Sequence, residues 1–279
     1  MNDLQKGIFC IIFSCFFFSL MSVFIKISTA NLILIETVFL RCFSALLILT
    51  PIIYLQKKPF RTKYFKLHFF RSLIGTIAML CMFYALSELP ISNVIIISFS
   101  KIFFIIPLAI YFLKEKIALS SFILICTGFS GVVTVIGAEP YAEKIYFYFF
   151  AIIGAFLIAL VKVLIKKIAM NESTLQIQFW FAIISCSILL IPYLNFISIP
   201  SFYDIIIIFC SAICGLLAQF FTITGLRQAA ATKILPFDFF RVIFGIFFGV
   251  IIFSESISLN IMVGTVIILF SGVLLIKKN

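Results

Sequence analysis

Long apolar runs follow one another along almost the whole chain, separated by short polar breaks. Ten of these runs have the length and composition of a membrane-spanning helix, and we predict one in each. A helical form is expected because a backbone that faces lipid has no water to satisfy its polar groups. Barrel strands would instead alternate between apolar and polar residues, and these runs do not alternate. The predicted spans lie at roughly 7–27, 33–55, 68–87, 92–113, 118–137, 145–169, 176–195, 204–225, 233–253 and 258–276.

Composition supports an integral membrane protein. Of the 279 residues, 64% are hydrophobic and 11% are charged, and the mean hydropathy is +1.30. A soluble domain carries about twice that share of charge. The net charge of +11 comes largely from short loops, so we expect no nucleic-acid partner. All eight cysteines fall within apolar runs, which predicts packing residues and neither a metal site nor a cofactor.

The distribution of Lys and Arg predicts the orientation in the membrane. With the N-terminus inside, 14 of the 21 basic residues lie in cytoplasmic segments, and only Lys26 and Lys144 lie outside. The other five basic residues fall within spans. Basic residues favour the cytoplasmic side, so both termini are expected there. We expect a multi-pass protein of the bacterial cytoplasmic (inner) membrane, with the lipid bilayer as its surroundings.

The chain contains an internal repeat. Residues 89–119 align with residues 229–259 without a gap at a spacing of 140, which places Lys101 on Arg241 and Glu115 on Glu255. We therefore predict two five-helix repeats, residues 1–137 and 145–279. Five spans is an odd number, so the second repeat must be inverted relative to the first. The predicted fold class is an all-α membrane protein with ten transmembrane helices in two inverted repeats, an architecture found in transporters. Pro107 and Pro236 are expected to kink spans four and nine.

Charges within the spans are the candidate functional residues, since a charge at the centre of a span costs about 2.5–3.5 kcal/mol on insertion scales. Arg71 and Lys162 lie near predicted span ends, where long side chains can reach the interface, so we expect a structural role for both. Arg41 is deeper, and its position fits a structural ion pair and a substrate contact equally well.

Lys101, Asp238 and Arg241 allow two interpretations. Asp238 and Arg241 are three residues apart on one helix face, so they could neutralise each other and hold two helices together. Alternatively, Lys101 and Arg241 line a central cavity and bind an anionic group, while Asp238 tunes the field or carries a proton. Symmetric placement in the two halves favours the second interpretation. The predicted substrate-binding residues, with two hydrogen-bonding candidates included, are Lys101, Arg241, Asp238, Gln219, Arg41 and Tyr84.

Several motifs resemble the drug/metabolite transporter superfamily, EamA type, over essentially the whole chain. They are ETVFLRCFSALLIL in span two, FYALSELPISNVIIISFS, FLKEKIALSSFILICTGFSGVVTVIG, GLRQAAATKILPF and IIFSESISLNIMVGTVIILFSGVLLI. The resemblance implies that spans three, four, eight and nine line a central cavity. Family members often have a proline where this chain has Lys101 and Ile102, so the family's cavity shape does not carry over directly.

These observations predict a secondary-active transporter that works by alternating access on a small metabolite. Two buried cations favour a substrate with a carboxylate or other anionic group, such as an amino acid or an S-adenosylmethionine-like compound. A proton or an exchange substrate would drive transport. The alternatives are an exporter of drugs or toxic metabolites and, in a different class, a multispan membrane enzyme, which the short loops disfavour. The pattern leaves both a monomer and a homodimer open.

Overall fold

The computed structural model describes residues 2–56, 61–113, 119–137, 144–195, 200–229, 234, 237–238 and 240–278. This part of the chain contains eleven helices and no strand. They are α1 (Asp3–Ser28), α2 (Leu34–Leu55), α3 (Phe65–Glu88), α4 (Ile91–Phe99), α5 (Lys101–Leu113), α6 (Leu119–Ile136), α7 (Ile145–Ala169), α8 (Thr174–Leu194), α9 (Phe202–Gln228), α10 (Phe240–Phe253) and α11 (Leu259–Lys278).

Six helices are long and apolar enough to cross a membrane: α1, α2, α3, α7, α8 and α9. They correspond to predicted spans one to three and six to eight. The positions of the other four predicted spans are occupied by shorter apolar helices, with α4 and α5 together taking the place of span four. The structure is therefore that of a helical multi-pass membrane protein.

The described surface is rich in large apolar side chains. Phe9, Leu47, Ile191, Phe247 and Val266 are each more than half exposed. In a soluble protein such residues would be buried, whereas a lipid-facing surface needs them outside. The interior shows the opposite arrangement, since it holds arginine, lysine and aspartate side chains that are almost completely buried.

The helix packing is symmetric between the two halves. Helix α1 packs against α9, and its counterpart α7 packs against α3. Helices α2 and α8, and α6 and α11, also form contacting pairs, each made of one helix and its own counterpart. If each of these helices is replaced by its counterpart in the other half, the same set of contacting pairs is obtained. Helix α4 contacts α10, which is the counterpart of α5. Glycines permit the close approach of α6 and α11, because a Cβ on Gly131 or Gly264 would press on the other glycine's carbonyl oxygen.

Individual contacts repeat at the spacing of 140 residues. Lys26 Nζ donates a hydrogen bond to the Leu89 carbonyl oxygen, and its counterpart Lys166 donates one to the carbonyl oxygen of Ala229 over 2.7 Å. Gly75 lies against Phe181, and the equivalent Gly215 lies against Arg41. The register read from residues 89–119 and 229–259 thus extends through helices outside the aligned stretch.

The fourth predicted span is interrupted at Ser100, where α4 ends and α5 begins. Pro107, where we predict a kink, lies inside α5, seven residues beyond this break. At the equivalent place in the second half, residues 237–238 form a 3₁₀ turn and α10 begins at Phe240. Pro236 and Glu115 lie outside the described residues. Broken helices are a recurring feature of transporter binding sites, and here the breaks adjoin Lys101, Asp238 and Arg241.

Glu255 connects the second half to the start of α4. Its carboxylate accepts hydrogen bonds from the backbone N–H groups of Ile91 and Ser92, at 2.6 and 3.1 Å, and from the Ser92 hydroxyl at 2.7 Å. The ammonium group of Lys26 lies 3.9 Å away. A carboxylate from a distant segment therefore satisfies the free N–H groups at this helix start.

Replacing Glu255 with alanine should lower the free energy of unfolding by about 1–2 kcal/mol, because these N–H groups would lose their acceptor. Thermal unfolding of the purified variant in detergent measures the loss. Ser187→Ala is the control, since the Ser187 hydroxyl is exposed and donates a hydrogen bond to the Ile183 carbonyl oxygen of its own helix. An unfolding midpoint for Glu255→Ala equal to that of the control would contradict the capping role.

Candidate substrate-binding cavity

A cavity of about 130 Å³ lies between the two halves of the chain. It is lined by α1 to α4 and α7 to α10, a wider set of helices than spans three, four, eight and nine alone. Its walls are mainly apolar, with several charged and polar groups. The lining residues are Phe18, Met21, Ser22, Arg41, Arg71, Gly75, Ala78, Met79, Met82, Phe83, Leu86, Val94, Ile95, Ile158, Val161, Lys162, Ile165, Phe181, Gln219, Thr222, Ile223 and Arg241.

Four cationic side chains line the cavity: Arg41, Arg71, Lys162 and Arg241. All four are at least nine-tenths buried. Two come from the first half of the chain and two from the second. None of the described lining residues carries a carboxylate, so the lining has an excess of positive charge.

Arg71 is the most enclosed of the four, with 1% of its surface exposed. Its Nη2 donates a hydrogen bond of 2.7 Å to Gln219 Oε1, and its guanidinium group lies 3.9 Å from the centre of the Phe181 ring. Nε and Nη1 have no hydrogen-bond partner among the described residues. A guanidinium group has five N–H donors, so most of the hydrogen-bonding capacity of Arg71 is unused.

Arg41 is bound by sulfur. Its Nη1 and Nη2 lie 2.9 and 3.2 Å from the thioether sulfurs of Met79 and Met21, and Nε has no partner among the described groups. A thioether is a weak hydrogen-bond acceptor that carries no charge. Of the two roles that the sequence left open for Arg41, the ion pair is not formed among the described residues.

Lys162 and Arg241 share the ring of Phe18, whose centre is 5.9 Å from Lys162 Nζ and 4.9 Å from Arg241 Cζ. Arg241 Nε has no hydrogen-bond partner in the described part of the chain. Lys162 Nζ lies 3.9 Å from Asp238 Oδ2, so Lys162 connects the cavity to the ion pair behind it.

Asp238 forms its ion pairs with Lys101 and Lys162 and not with Arg241. Lys101 Nζ lies 3.0 Å from Asp238 Oδ2, and the Cys15 thiol donates to Oδ1 over 3.3 Å. Neither Lys101 nor Asp238 lines the cavity. Both sequence interpretations were therefore wrong in part, because Asp238 is neutralised by the cation of the other repeat and Lys101 faces that carboxylate.

Tyr84 also lies away from the cavity. It is 38% exposed, and its ring packs against Phe147 and Phe150 on the outer surface. Gln219, in contrast, lines the cavity and bonds Arg71.

Depth along the span does not identify Arg71 and Lys162 as cavity residues, because the rotation of the helix sets the direction in which each side chain points. Both are buried and face the cavity, so the expectation that they reach the interface was wrong. A helical-face analysis could have found Arg71. It shares one face of α3 with Gly75, Ala78 and Met82, at intervals of four, three and four residues.

Two copies of one helical unit around a buried cavity that contains charged groups form the architecture of a membrane transporter. The model of the EamA-like transporter family matches residues 5–137 and again residues 145–277. The chain therefore belongs to that family, as its sequence motifs predicted.

Similar proteins include an S-adenosylmethionine uptake transporter of Rickettsia bellii, 26% identical over 84% of this chain and 80% of its own length. An uncharacterized transporter of Helicobacter pylori is 27% identical over 98% and 95% of the two chains, and the pseudopaline exporter CntI of Pseudomonas aeruginosa is 21% identical over 99% and 98%. A solved crystal structure, 12% identical, shares the fold with a TM-score of 0.73 over 96% of this chain and 95% of that chain.

Proposed function

We propose that this protein is a secondary-active transporter that binds the anionic group of a small metabolite in its central cavity. One observation carries the proposal: four buried cations face a cavity whose described lining contains no carboxylate. Each such charge is expensive within a membrane and is kept where it serves a pathway or a ligand. An anion from the substrate would supply the missing counter-charge.

The proposed topology has ten spans in two inverted repeats, with both termini in the cytoplasm. The six long helices and the four shorter apolar segments support the count, and the exchange-symmetric packing supports the repeat. The excess of Lys and Arg in alternate loops supports the orientation. A reporter active only in the cytoplasm, fused after Asn279, tests it; an inactive reporter would contradict the cytoplasmic C-terminus.

The symmetric packing supports alternating access as the mechanism. Each half contacts the other through equivalent helix pairs, so the two halves can exchange conformations and open the same cavity to either side of the membrane. The helix breaks beside Lys101 and Asp238 lie next to the cavity and are the proposed points of bending. Either a proton or a counter-substrate would provide the driving force.

The charge of the cavity separates this function from the alternatives. A drug exporter for cationic compounds would need carboxylates or free aromatic faces, and this cavity presents cations. A multispan enzyme is disfavoured because the charged groups lie deep between helices and not at the headgroup level. The relatives named as uptake transporters and as an exporter support transport of small metabolites in either direction.

Reconstituted full-length protein tests the function directly. Proteoliposomes would be assayed for saturable uptake of radiolabelled amino acids, S-adenosylmethionine, riboflavin and organic acids, with an imposed proton gradient or with unlabelled compound inside. We expect saturable transport of at least one anionic metabolite, driven by one of these two gradients. Uptake no faster than in protein-free liposomes for every compound would contradict the proposal.

A further inference from the structure

We infer that the substrate carries at least two negative charges and that the cavity rejects a sulfonium compound such as S-adenosylmethionine. The inference rests on the proposed function and names the substrate class of the same cavity. Several relatives are named as S-adenosylmethionine uptake transporters. The inference for this chain differs from that activity because it is drawn from the charges in this chain's own cavity.

The first argument is the charge balance of the interior. Among the described residues, five cations are buried, the four of the cavity and Lys101, together with three carboxylates, Glu36, Asp204 and Asp238. This leaves a net charge of +2 on the buried charged groups. Asp238 is bound to Lys101, so its charge does little for Arg41 and Arg71. A monoanion would leave half of this excess uncompensated and a zwitterion all of it, whereas a dianion neutralises it.

The second argument is the number of unused donors. Arg41 Nε, Arg71 Nε, Arg71 Nη1 and Arg241 Nε are buried without a hydrogen-bond partner among the described residues. A buried polar group that lacks a partner is costly, so these N–H groups indicate a ligand with several acceptor oxygens. Carboxylate and phosphate groups match the planar guanidinium geometry and accept two such hydrogen bonds each.

The third argument is the distribution of the cations. Arg41 and Arg71 belong to the first repeat, and Lys162 and Arg241 belong to the second. Two anionic groups on one molecule can therefore engage one pair of cations each. The walls around these cations are apolar, with Met82, Leu86 and Ile158 among them, which suits an organic skeleton between the two charged ends.

The aromatic rings argue against a sulfonium or ammonium substrate. Such a cation binds most readily over an aromatic face. In this cavity the rings of Phe18, Phe83 and Phe181 already lie next to Arg241, Arg41 and Arg71 respectively. A further cation at these faces would meet like charge.

Matched ligand pairs test the inference on the full-length purified protein. The dianions are succinate, glutarate, glycerol 3-phosphate and pyridoxal 5′-phosphate, and their partners are butyrate, valerate, glycerol and pyridoxal. S-adenosylmethionine is paired with S-adenosylhomocysteine, which lacks the sulfonium charge. Binding would be measured by calorimetry and transport by counterflow in proteoliposomes. We expect at least one dianion to bind about tenfold or more tighter than its partner, since each charged hydrogen bond contributes about 1.5–3 kcal/mol.

A variant links that preference to the cavity. Arg41→Met should reduce the ratio of dianion to partner affinity by about tenfold, with methionine filling a space already lined by Met21 and Met79. Lys6→Gln is the control, because it removes an exposed lysine that pairs with Asp3. Its ratio of dianion to partner affinity should match that of wild type. Should Arg41→Met fail to fold, Lys162→Met provides the same test from the second repeat.

The outcomes separate the two proposals. If S-adenosylmethionine binds and is transported at least as well as S-adenosylhomocysteine and every dianion, the charge inference is overturned and the transporter proposal stands. The same holds if no dianion binds better than its partner while another metabolite is transported. If no compound of any charge is transported, the proposed function fails as well. A dianion preference that Arg41→Met leaves unchanged would also overturn the assignment to this cavity.

Discussion

Replacing Lys101 with methionine should lower the free energy of unfolding by about 3 kcal/mol, because Asp238 would stay buried without its nearest counter-charge. Breaking a buried pair from one side commonly costs about 3–5 kcal/mol, and we expect the lower end because Lys162 remains 3.9 Å from Asp238. The thermal unfolding midpoint in detergent and the yield of monodisperse protein measure the effect. Lys6→Met, at an exposed lysine, is the control.

The double variant Lys101→Met/Asp238→Leu distinguishes a pair from two independent residues. Removing both charges should restore most of the lost stability, since neither partner is then left buried alone. If the double variant is destabilised by the sum of the two single losses, Lys101 and Asp238 do not act as a pair. Transport by the folded double variant would further show that the pair holds the halves together without binding substrate.

Replacing Arg71 with methionine should reduce transport or substrate affinity by about ten- to hundredfold, because hydrogen bonds to charged groups are worth about 1.5–3 kcal/mol. The same change should leave the protein as stable as wild type or more stable, by about 1 kcal/mol. Arg71 has no carboxylate partner in the described part of the chain, so its removal leaves no described buried charge unpaired and relieves repulsion among the cavity cations. Initial uptake rates in proteoliposomes test the loss of transport, and thermal unfolding midpoints test the stability.

Arg227 offers the matched control for Arg71. It donates hydrogen bonds to the carbonyl oxygens of Ala169 and Glu172, away from the cavity. Arg227→Met should therefore lose stability and retain substrate affinity, which is the opposite pattern. If Arg71→Met is destabilised as strongly as Lys101→Met and binds substrate normally, then Arg71 is a structural residue and the cavity assignment is wrong.

Together these variants separate two kinds of buried charge that look alike in the sequence. Lys101 and Asp238 neutralise each other across the two repeats and should matter for stability. Among the described residues, Arg41, Arg71 and Arg241 form no ion pair with a carboxylate, and these three side chains should matter for the ligand. Lys162 takes part in both, because it lines the cavity and lies 3.9 Å from Asp238. An anion arriving in the cavity would compete with Asp238 for this lysine.

Much of the fold could be predicted from the sequence. Length and hydropathy predicted the helices, because a lipid environment demands that each segment satisfy its own backbone. The spacing of 140 residues predicted the repeat, and contacts such as Lys26–Leu89 and Lys166–Ala229 follow the same spacing. The family motifs are read directly from the chain, and their prediction of EamA-type membership is confirmed.

The candidate site was predictable only as a set of buried charges. The sequence shows that Arg41, Arg71, Lys101, Lys162 and Arg241 lie within apolar runs. Which cation faces which carboxylate depends on helix rotation and on contacts between residues more than 100 positions apart. Lys101 and Asp238 are 137 residues apart in the chain and 3.0 Å apart in space, and only the packing of the two repeats creates that pair. The same packing places Lys101 against Asp238, away from the cavity, and places the other four cations in the cavity lining.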